Sequence, residues 1–403
     1  MDNLEVGTEG SALQDSAAIK LDKDKLKASG NCGEMRSTSD PRWTQELMPP
    51  LSNLCLQSIV SNFEENPIVE QLGPGEKDFI LKHLFTDLPL HVTANLITDG
   101  VYWRRCCERQ WDLCDVSDYG NSWKRMFFER RLESMIELFI PDASDPEVIL
   151  DMVQHCRDYI KRLSISQLLL SDNESSADHF DFGIVLDKLT SLEELHLIYR
   201  VKKCGMNFEW KMLEMSDRDC ESLAKAIESC KTLKRLRLQL SNIDDNQCHL
   251  LVKYLLDHPS LRELDFSHNL ISDGGAKAIA ELLTRSKLEI LNLFDNDIRD
   301  KGAKAIAQAL SENSTLLSLN LRLNRVKDEG GQAISEALLK NNTLHHLHLG
   351  ANKVTGPTAV ALSEVLAQNN ILRSIIIINL SCNNLGELNE AVIKHPSFRL
   401  SLC

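Results

Sequence analysis

From about Ile160 onward the chain repeats itself, and this self-similarity restricts its fold more than any other feature. Aligned on L-x-x-L-x-L-x-x-N, the pattern runs through Leu261/Leu264/Phe266/Asn269, Leu288/Leu291/Leu293/Asn296, Leu316/Leu319/Leu321/Asn324 and Leu344/Leu347/Leu349/Asn352, with Asn-to-Asn steps of 27, 28 and 28 residues. The frame extends back to Leu233/Leu236/Leu238, with Ser241 in place of Asn, and forward to Ile375/Ile378/Leu380/Asn383. Weaker copies at Leu192/Leu195/Leu197 and Ile160/Leu163/Ile165 bring the total to about eight.

The second half of each repeat keeps its own columns: Cys248, Ala276, Ala303, Gly331 and Ala359; then Leu251, Ile279, Ile306, Ile334 and Leu362; then Leu255, Leu283, Leu310, Leu338 and Leu366. Spacings of three and four place these columns on one helical face, and the small first column lets the helix lie close to the strands. Each repeat therefore predicts a short strand, an Asn-containing turn and an α-helix. None can bury its apolar side alone, so stacking yields a parallel sheet on a concave side and helices on a convex side. The Asn is expected to satisfy backbone groups of the neighbouring turn, with Ser241 a shorter substitute. The pattern resembles leucine-rich repeats of the ribonuclease-inhibitor type. The fold class expected is thus α/β, a leucine-rich-repeat solenoid preceded by a small all-helical domain.

Two departures stand out. About thirteen extra residues, Val201 to Leu213, predict an excursion carrying Trp210. The last repeat has three extra residues and the run Ile375–Ile378, an apolar β-branched edge that either a helix over Leu385–Ile393 or a partner must cover.

Upstream the composition changes. Four of the five Trp lie between Trp43 and Tyr159, where Ile80, Leu81, Leu84 and Phe85, and then Phe127, Phe128, Leu132, Met135 and Ile136, recur at helical spacing. Pro49-Pro50, Gly73-Pro74-Gly75, Pro89 and Pro141 punctuate them, so roughly five helices are expected. Residues 1–42 hold almost no aromatic side chains and mix Ser, Gly, Asp and Lys, which predicts a disordered tail with at most a short helix. The division expected is 1–42 tail, 43–159 helical domain, 160–385 repeats, and 386–403 capping helix and tail.

The formal net charge of −14 argues against nucleic acid, and no run of apolar residues is long enough to span a membrane. No leader is evident, so the chain reads as intracellular. Twelve Cys without a CxxC pair predict mostly buried thiols, and Asn-x-Ser/Thr at Asn173, Asn313, Asn341 and Asn379 reads as chance. Gly73-Pro74-Gly75 lacks the spacing of a phosphate-binding loop, and no GxGxxG after a strand, GxSxG or HExxH occurs. No catalytic residue, metal or cofactor is predicted. His345, His346 and His348 resemble a metal cluster, but sequential strand residues diverge.

The predicted concave face carries His196, Arg237, Asp265, Asn292, Asn320, His348 and Asn379 in one column, and Ile198, Gln239, Ser267, Phe294, Arg322, Gly350 and Ser381 in the next. With apolar anchors Ile198, Ile290, Phe294, Leu323 and Ile377 among charges of both signs, it reads as a protein-recognition surface. The candidate partner-binding residues are Arg235, Arg237, Asp265, Phe294, Arg322, His346 and His348. In the helical region, Trp103 to Trp111 and Trp123 to Arg131 mix basic and aromatic residues. This pattern predicts amphipathic helices with Trp cores, whose Arg104, Arg105, Lys124, Arg125, Arg130 and Arg131 are candidates for docking to an acidic protein surface.

Leu88-Pro89 to Ile97 running into Trp103-Arg-Arg and Trp111, then Trp123-Lys-Arg-Met-Phe-Phe-Glu-Arg-Arg131, then the repeats, closely resembles the T-complex-associated testis-expressed protein 1 family over about residues 43–395. These are leucine-rich-repeat subunits of the axonemal nexin-dynein regulatory complex. The resemblance implies a non-enzymatic structural subunit in the cytoskeleton of motile cilia and sperm flagella. It implies coiled-coil axonemal partners within the complex, indirect linkage to doublet microtubules and support for dynein-driven sliding in sperm motility. Two weaker resemblances stay open: Leu88-Pro89 before an apolar helix and a Trp is similar to an F-box, implying a ubiquitin-ligase substrate adaptor, and the repeats are similar to those of the Ran GTPase-activating protein.

Overall fold

The computed structural model describes residues 50–170, 178–202, 206, 209–368, 377–386 and 398–399. The expected tail over 1–42 and most of the expected capping helix lie outside the described residues.

The helical region contains six described α-helices where about five were expected: α1 Leu51–Ser61, α2 Pro74–His83, α3 Leu90–Leu96, α4 Val101–Gln110, α5 Trp123–Glu137 and α6 Pro146–Cys156. The starts follow local chemistry. Pro74 and Pro146 occupy first-turn positions where a missing N–H costs nothing, Ser122 Oγ accepts the Arg125 N–H, and Asp145 accepts the Glu147 N–H. Glu76 reaches back to the Gly73 N–H, so the Gly-Pro-Gly stretch opens a helix. The core is aromatic: Trp103, 1% exposed, lies with Tyr102, Phe127 and Phe128 at centroid distances of 5.0–5.2 Å.

The repeats form one parallel sheet in sequence order: β1 Arg162–Ile165, β2 Glu194–Leu197, β3 Arg235–Leu238, β4 Glu263–Asp265, β5 Ile290–Asn292, β6 Ser318–Asn320, β7 His346–His348, β8 Ile377–Asn379 and β9 Phe398–Arg399. Six helices alternate with the later strands: α7 Asp217–Ser229, α8 Asp245–Leu255, α9 Asp273–Arg285, α10 Asp300–Glu312, α11 Asp328–Leu338 and α12 Gly356–Gln368. The three predicted helix columns are buried against the sheet, apart from the half-buried Leu366. The small column was expected to bring the helix close to the strands; at Gly331 the tight contact is with the neighbouring helix, where a Cβ would stand 2.5 Å from the Thr358 side chain.

Polar side chains stitch each repeat to the next. Asn324 Nδ2 donates to the Leu293 carbonyl of the preceding turn and to Leu321 and Arg322 of its own, while its Oδ1 accepts the Ile298 N–H. Asn269, Asn296 and Asn352 repeat this arrangement. Ser241 accepts the Tyr199 N–H from the preceding repeat, but its own proton goes to Gln239, so it satisfies a donor only.

A second ladder is absent from the sequence reading. Asp245, Asp273, Asp300 and Asp328 stand at the first position of their own helices, yet each caps the following helix. Asp273 Oδ1 accepts the Arg299 and Gly302 N–H groups, and Asp300 Oδ1 accepts those of Lys327 and Gly330, so Arg299 and Lys327 can sit at helix N-caps without capping side chains. A third ladder buries Asn313 and Asn341, which donate to the preceding helix's terminal carbonyls Leu283 and Leu310. Burial keeps these two Asn-x-Ser/Thr matches from carrying a glycan.

The residue before each Asn-position residue is left-handed without being glycine: Leu240, His268, Asp295, Leu323, Ala351 and Cys382, at φ from 50 to 60°.

Candidate protein-recognition surface

The register of the sheet aligns the concave columns. The first reads Arg162, Glu194, Arg235, Glu263, Ile290, Ser318, His346 and Ile377 across β1 to β8. Its first half is self-neutralised, because Arg235 pairs with both Glu194 and Glu263, and Arg237 Nη2 lies 2.6 Å from Glu263. Arg235 and Arg237 are thus exposed enough to be met by a partner, but they arrive already paired. The second half turns apolar and imidazole-bearing.

Asp265 corrects the expected surface. It is 6% exposed, and its oxygens accept from Gln239, Asn292 and the Ser267 backbone N–H, so it organises neighbouring side chains and has little face to offer a partner. Ile198, expected as an exposed anchor, is 7% exposed. Phe294 remains half-buried in a cluster with His268 edge-on at 4.9 Å and the Arg322 guanidinium 5.8 Å from its ring; His268 Nδ1 lies 2.8 Å from Asp295 Oδ2. Leu323, 42% exposed, and Ile290, 41% exposed, extend the apolar part.

His346 and His348 are half-buried. Burial, followed by the neighbouring His346 and Arg322, holds the His348 ring below its ordinary value and so favours its neutral form. His345 and His346 ring centroids stand 6.4 Å apart, and no group of metal-ligating side chains occurs among the described residues.

The basic candidates of the helical region divide. Lys124, 3% exposed, donates to the Ile97 carbonyl and to Tyr159 Oη and sits over the Tyr159 ring at 4.3 Å, so it is a core residue and its place as a docking residue is corrected. Arg105 donates to the Leu81 and Leu84 carbonyls, tying α4 to the end of α2, and Arg125 pairs with fully buried Glu129; both act inside the fold. Arg130 donates to the Leu113 carbonyl and lies over Trp111 at 4.5 Å. Arg104, paired with Glu108 at 2.7 Å and lying over the Trp123 ring, and Arg131 stay exposed. Sequence spacing reported the right helices but could not say which cations their own carbonyls would consume.

The residues that join the helical region to the sheet escaped the sequence reading. A parallel sheet leaves every second N–H of its first strand unpaired. Here α5 supplies the missing acceptors: Glu129 Oε1 accepts from Lys161 and Arg162, Glu133 Oε1 from Ser164 at 2.7 Å, and Glu137 Oε1 from Ser166 at 2.7 Å. Four helical residues advance ~6 Å and two strand residues ~6.6 Å, so an i, i+4, i+8 row of Glu matches alternate strand amides. Burial first, then the carboxylates of Glu129 and Glu137, pushes the Glu133 carboxyl up to about 8; the Ser164 N–H and Arg162 oppose the shift. The only available signal was Glu129-x3-Glu133-x3-Glu137 itself, which reads equally as a solvated face.

At the other end, β9 pairs beside β8 through Ile378↔Phe398 and Asn379↔Arg399. The edge expected to need a helix or a partner therefore receives a strand of the same chain. Within the excursion, Trp210 is 74% exposed at the start of a short 3-10 turn over Trp210–Leu213.

The family model described as Leucine Rich repeat matches residues 257–280, 286–307, 312–335 and 340–363. Three curated relatives are proteins named dynein regulatory complex subunit 5. The one from Macaca fascicularis is 48% identical over 300 residues, covering 70% of this chain and 60% of its own. That from Homo sapiens is 48% identical, covering 60% and 52%, and that from Mus musculus 47% identical, covering 60% and 53%. The chain spans between about half and three-fifths of the length of these relatives. A match over 70% of the chain exceeds what the residues from Ile160 onward can supply, so it reaches into the helical region as well as the repeats.

Proposed function

We propose that this chain, which belongs with the dynein regulatory complex subunit 5 proteins, works as a non-enzymatic scaffold subunit of that complex in the axonemes of motile cilia and sperm flagella. There it binds other subunits and supports the regulation of dynein-driven sliding. The observation that supports the reading is a match at 48% identity overall that extends beyond the repeats into the helical region, since repeats of this type recur in proteins of many functions.

The geometry supplies a mechanism. Side-chain ladders of Asn and Asp join successive repeats from β3 onward, with Asn313 and Asn341 adding two further ties, and the Glu row of α5 binds the first strand to the helical region. A body built this way holds two faces at a constant separation: the concave face around Phe294 and Arg322, and the helical face around Arg104 and Arg131. One partner docks on each, and doublet microtubules are reached through those partners. On the concave face Ser164 Oγ lies 3.3 Å from His196 Nδ1, the same ring's Nε2 lies 3.1 Å from Gln239 Oε1, and Asp265 accepts from Gln239 and Asn292, so these groups sit in a cross-strand network.

Affinity purification of the tagged full chain from ciliated or spermatogenic cells tests the reading. Recovery of coiled-coil axonemal subunits in stoichiometric amounts is expected. Recovery of a cullin and its F-box-binding adaptor in their place would establish the substrate-adaptor function and overturn the scaffold.

A further inference from the structure

Where α5 lies along β1, the side chains leave a cavity of about 290 Å³, walled by Trp111, Tyr119, Arg130, Glu133, Glu137 and Arg162, with Ser164 and Ser166 on the strand side. At ~30 Å³ per water it has room for about ten waters, or for one long side chain with its hydration. It opens onto the first strand of the concave face. A smaller hollow lined by Glu194, His196, Arg235 and Arg237 lies beside it on the concave face, and Arg162 lines both.

Its charges are unevenly satisfied. Arg130 is spent on the Leu113 carbonyl and the Trp111 ring, and Arg162 lies 4.0 Å from Asp118. The two carboxylates each use Oε1 on a strand amide, and neither Oε2 has a hydrogen-bond or ion-pair partner among the described residues. Glu137 Oε2 is a spare acceptor, and Glu133 Oε2, one helical turn away, becomes a second when its carboxyl, pushed up to about 8, gives up its proton; with two aromatic rings in the same wall they form a receptor for a donor-rich cation. The structure already draws one such group to the rim: Lys202 Nζ donates to Ser166 Oγ, which in turn donates to Glu137.

We propose that this cavity receives an arginine or lysine side chain from a basic segment of a partner that runs along the concave face. Glu133 and Glu137 take the cation, and Trp111 and Tyr119 flank its aliphatic stem. The net charge of −14 favours approach of a basic segment. The inference deepens the scaffold reading by naming the chemistry of one partner, but its test requires no axonemal component.

The probes are the peptides acetyl-Gly-Arg-Gly-amide, acetyl-Gly-Lys-Gly-amide and acetyl-Gly-Glu-Gly-amide, titrated into the full chain while the Ser164 and Ser166 amides and the Trp111 indole N–H are followed by NMR. Saturable shifts are expected with the Arg or Lys peptide and not with the Glu peptide, weakened at least tenfold in Glu133→Gln/Glu137→Gln. That variant keeps acceptors for the strand amides while removing the charge. Should it disturb the junction, Trp111→Leu, which leaves the carboxylates and the strand amides in place, must weaken binding at least threefold. In the unmodified chain affinity must rise from pH 7 to pH 9, as bound cation and proton compete for Glu133. Absence of shifts, equal response to the Glu peptide, undiminished binding in the folded double variant, or pH-independent affinity would each overturn the proposal. Peptide binding by a chain that recovers no axonemal subunit would instead leave the cavity assigned and the scaffold reading refuted.

Discussion

Glu133 Oε1 accepts the backbone N–H of Ser164 at 2.7 Å, and this bond is the centre of the seam between the helical region and the sheet. It replaces the hydrogen bond that a strand outside β1 would have made, and it does so with a group whose ionisation is opposed by its surroundings.

That opposition predicts a pH dependence of the seam. The folded Glu133 carboxyl titrates near 8, above its ordinary 4.5, with Glu129 and Glu137 raising it and Arg162 and the Ser164 N–H lowering it. The folded state therefore binds more protons than the unfolded one between those values, so this group's stabilising contribution is full below about 4.5 and is lost as pH rises through about 8. Amide exchange at Ser164, corrected for intrinsic rates, should show weaker protection at pH 9 than at pH 6. Glu133→Gln should remove the difference, and equal protection at both pH values in the unmodified chain would contradict the assignment.

Asn324 joins two turns through four hydrogen bonds. Asn324→Ala leaves the Ile298 N–H and the Leu293 carbonyl buried without partners, and at ~1–3 kcal/mol per orphaned group should cost roughly 3 kcal/mol. Urea denaturation at constant slope measures it, and a loss under about 0.5 kcal/mol would mean that water replaces the ladder.

Leu323 holds φ of 56° with its side chain 42% exposed, a combination that serves neither stability nor solubility. Leu323→Asn keeps a residue that tolerates the left-handed region, so the isolated chain should gain about 1 kcal/mol. A thermal midpoint that falls would show that the leucine is stabilising the turn. One that rises while partner affinity drops would place Leu323 in the interface.

Phe294 and Arg322 form a cluster with His268 on the concave face, and the Arg322 guanidinium has no ion pair or side-chain hydrogen bond among the described residues. Phe294→Ala with Arg322→Ala should weaken one complex partner at least tenfold while leaving the unfolding midpoint within about 2 °C, as surface changes of ~0.5 kcal/mol allow. Retention of every partner at unchanged affinity would remove this face from the account.

The solenoid was legible because its signal is periodic. Leu264, Leu291 and Leu319 recur at steps of 27 and 28 residues, and each is fully buried in the register that the recurrence implies. The Trp103 and Trp123 helices were legible for the same reason at a shorter period. The cross-repeat caps were not. Asp273 begins its own helix, where an acidic residue is expected anyway, and nothing local reveals that its carboxylate serves the Arg299 turn. Individual surface residues were the least legible. Lys124 and Arg131 sit on one helix in one basic run, yet one is buried on a carbonyl and a phenol oxygen and the other is exposed, a difference set by residues more than twenty positions away. The closure of the last strand by Phe398–Arg399 lay beyond any repeat pattern.

The most direct test of the two-faced scaffold is residue-resolved cross-linking mass spectrometry on the purified axonemal complex. The account predicts that one subunit cross-links to lysines beside the concave face, Lys161 and Lys234, and a different subunit to lysines of the helical region, Lys77 and Lys82. Cross-links confined to the convex helices, at Lys277, Lys301 and Lys304, with the concave face and the helical region untouched, would contradict it.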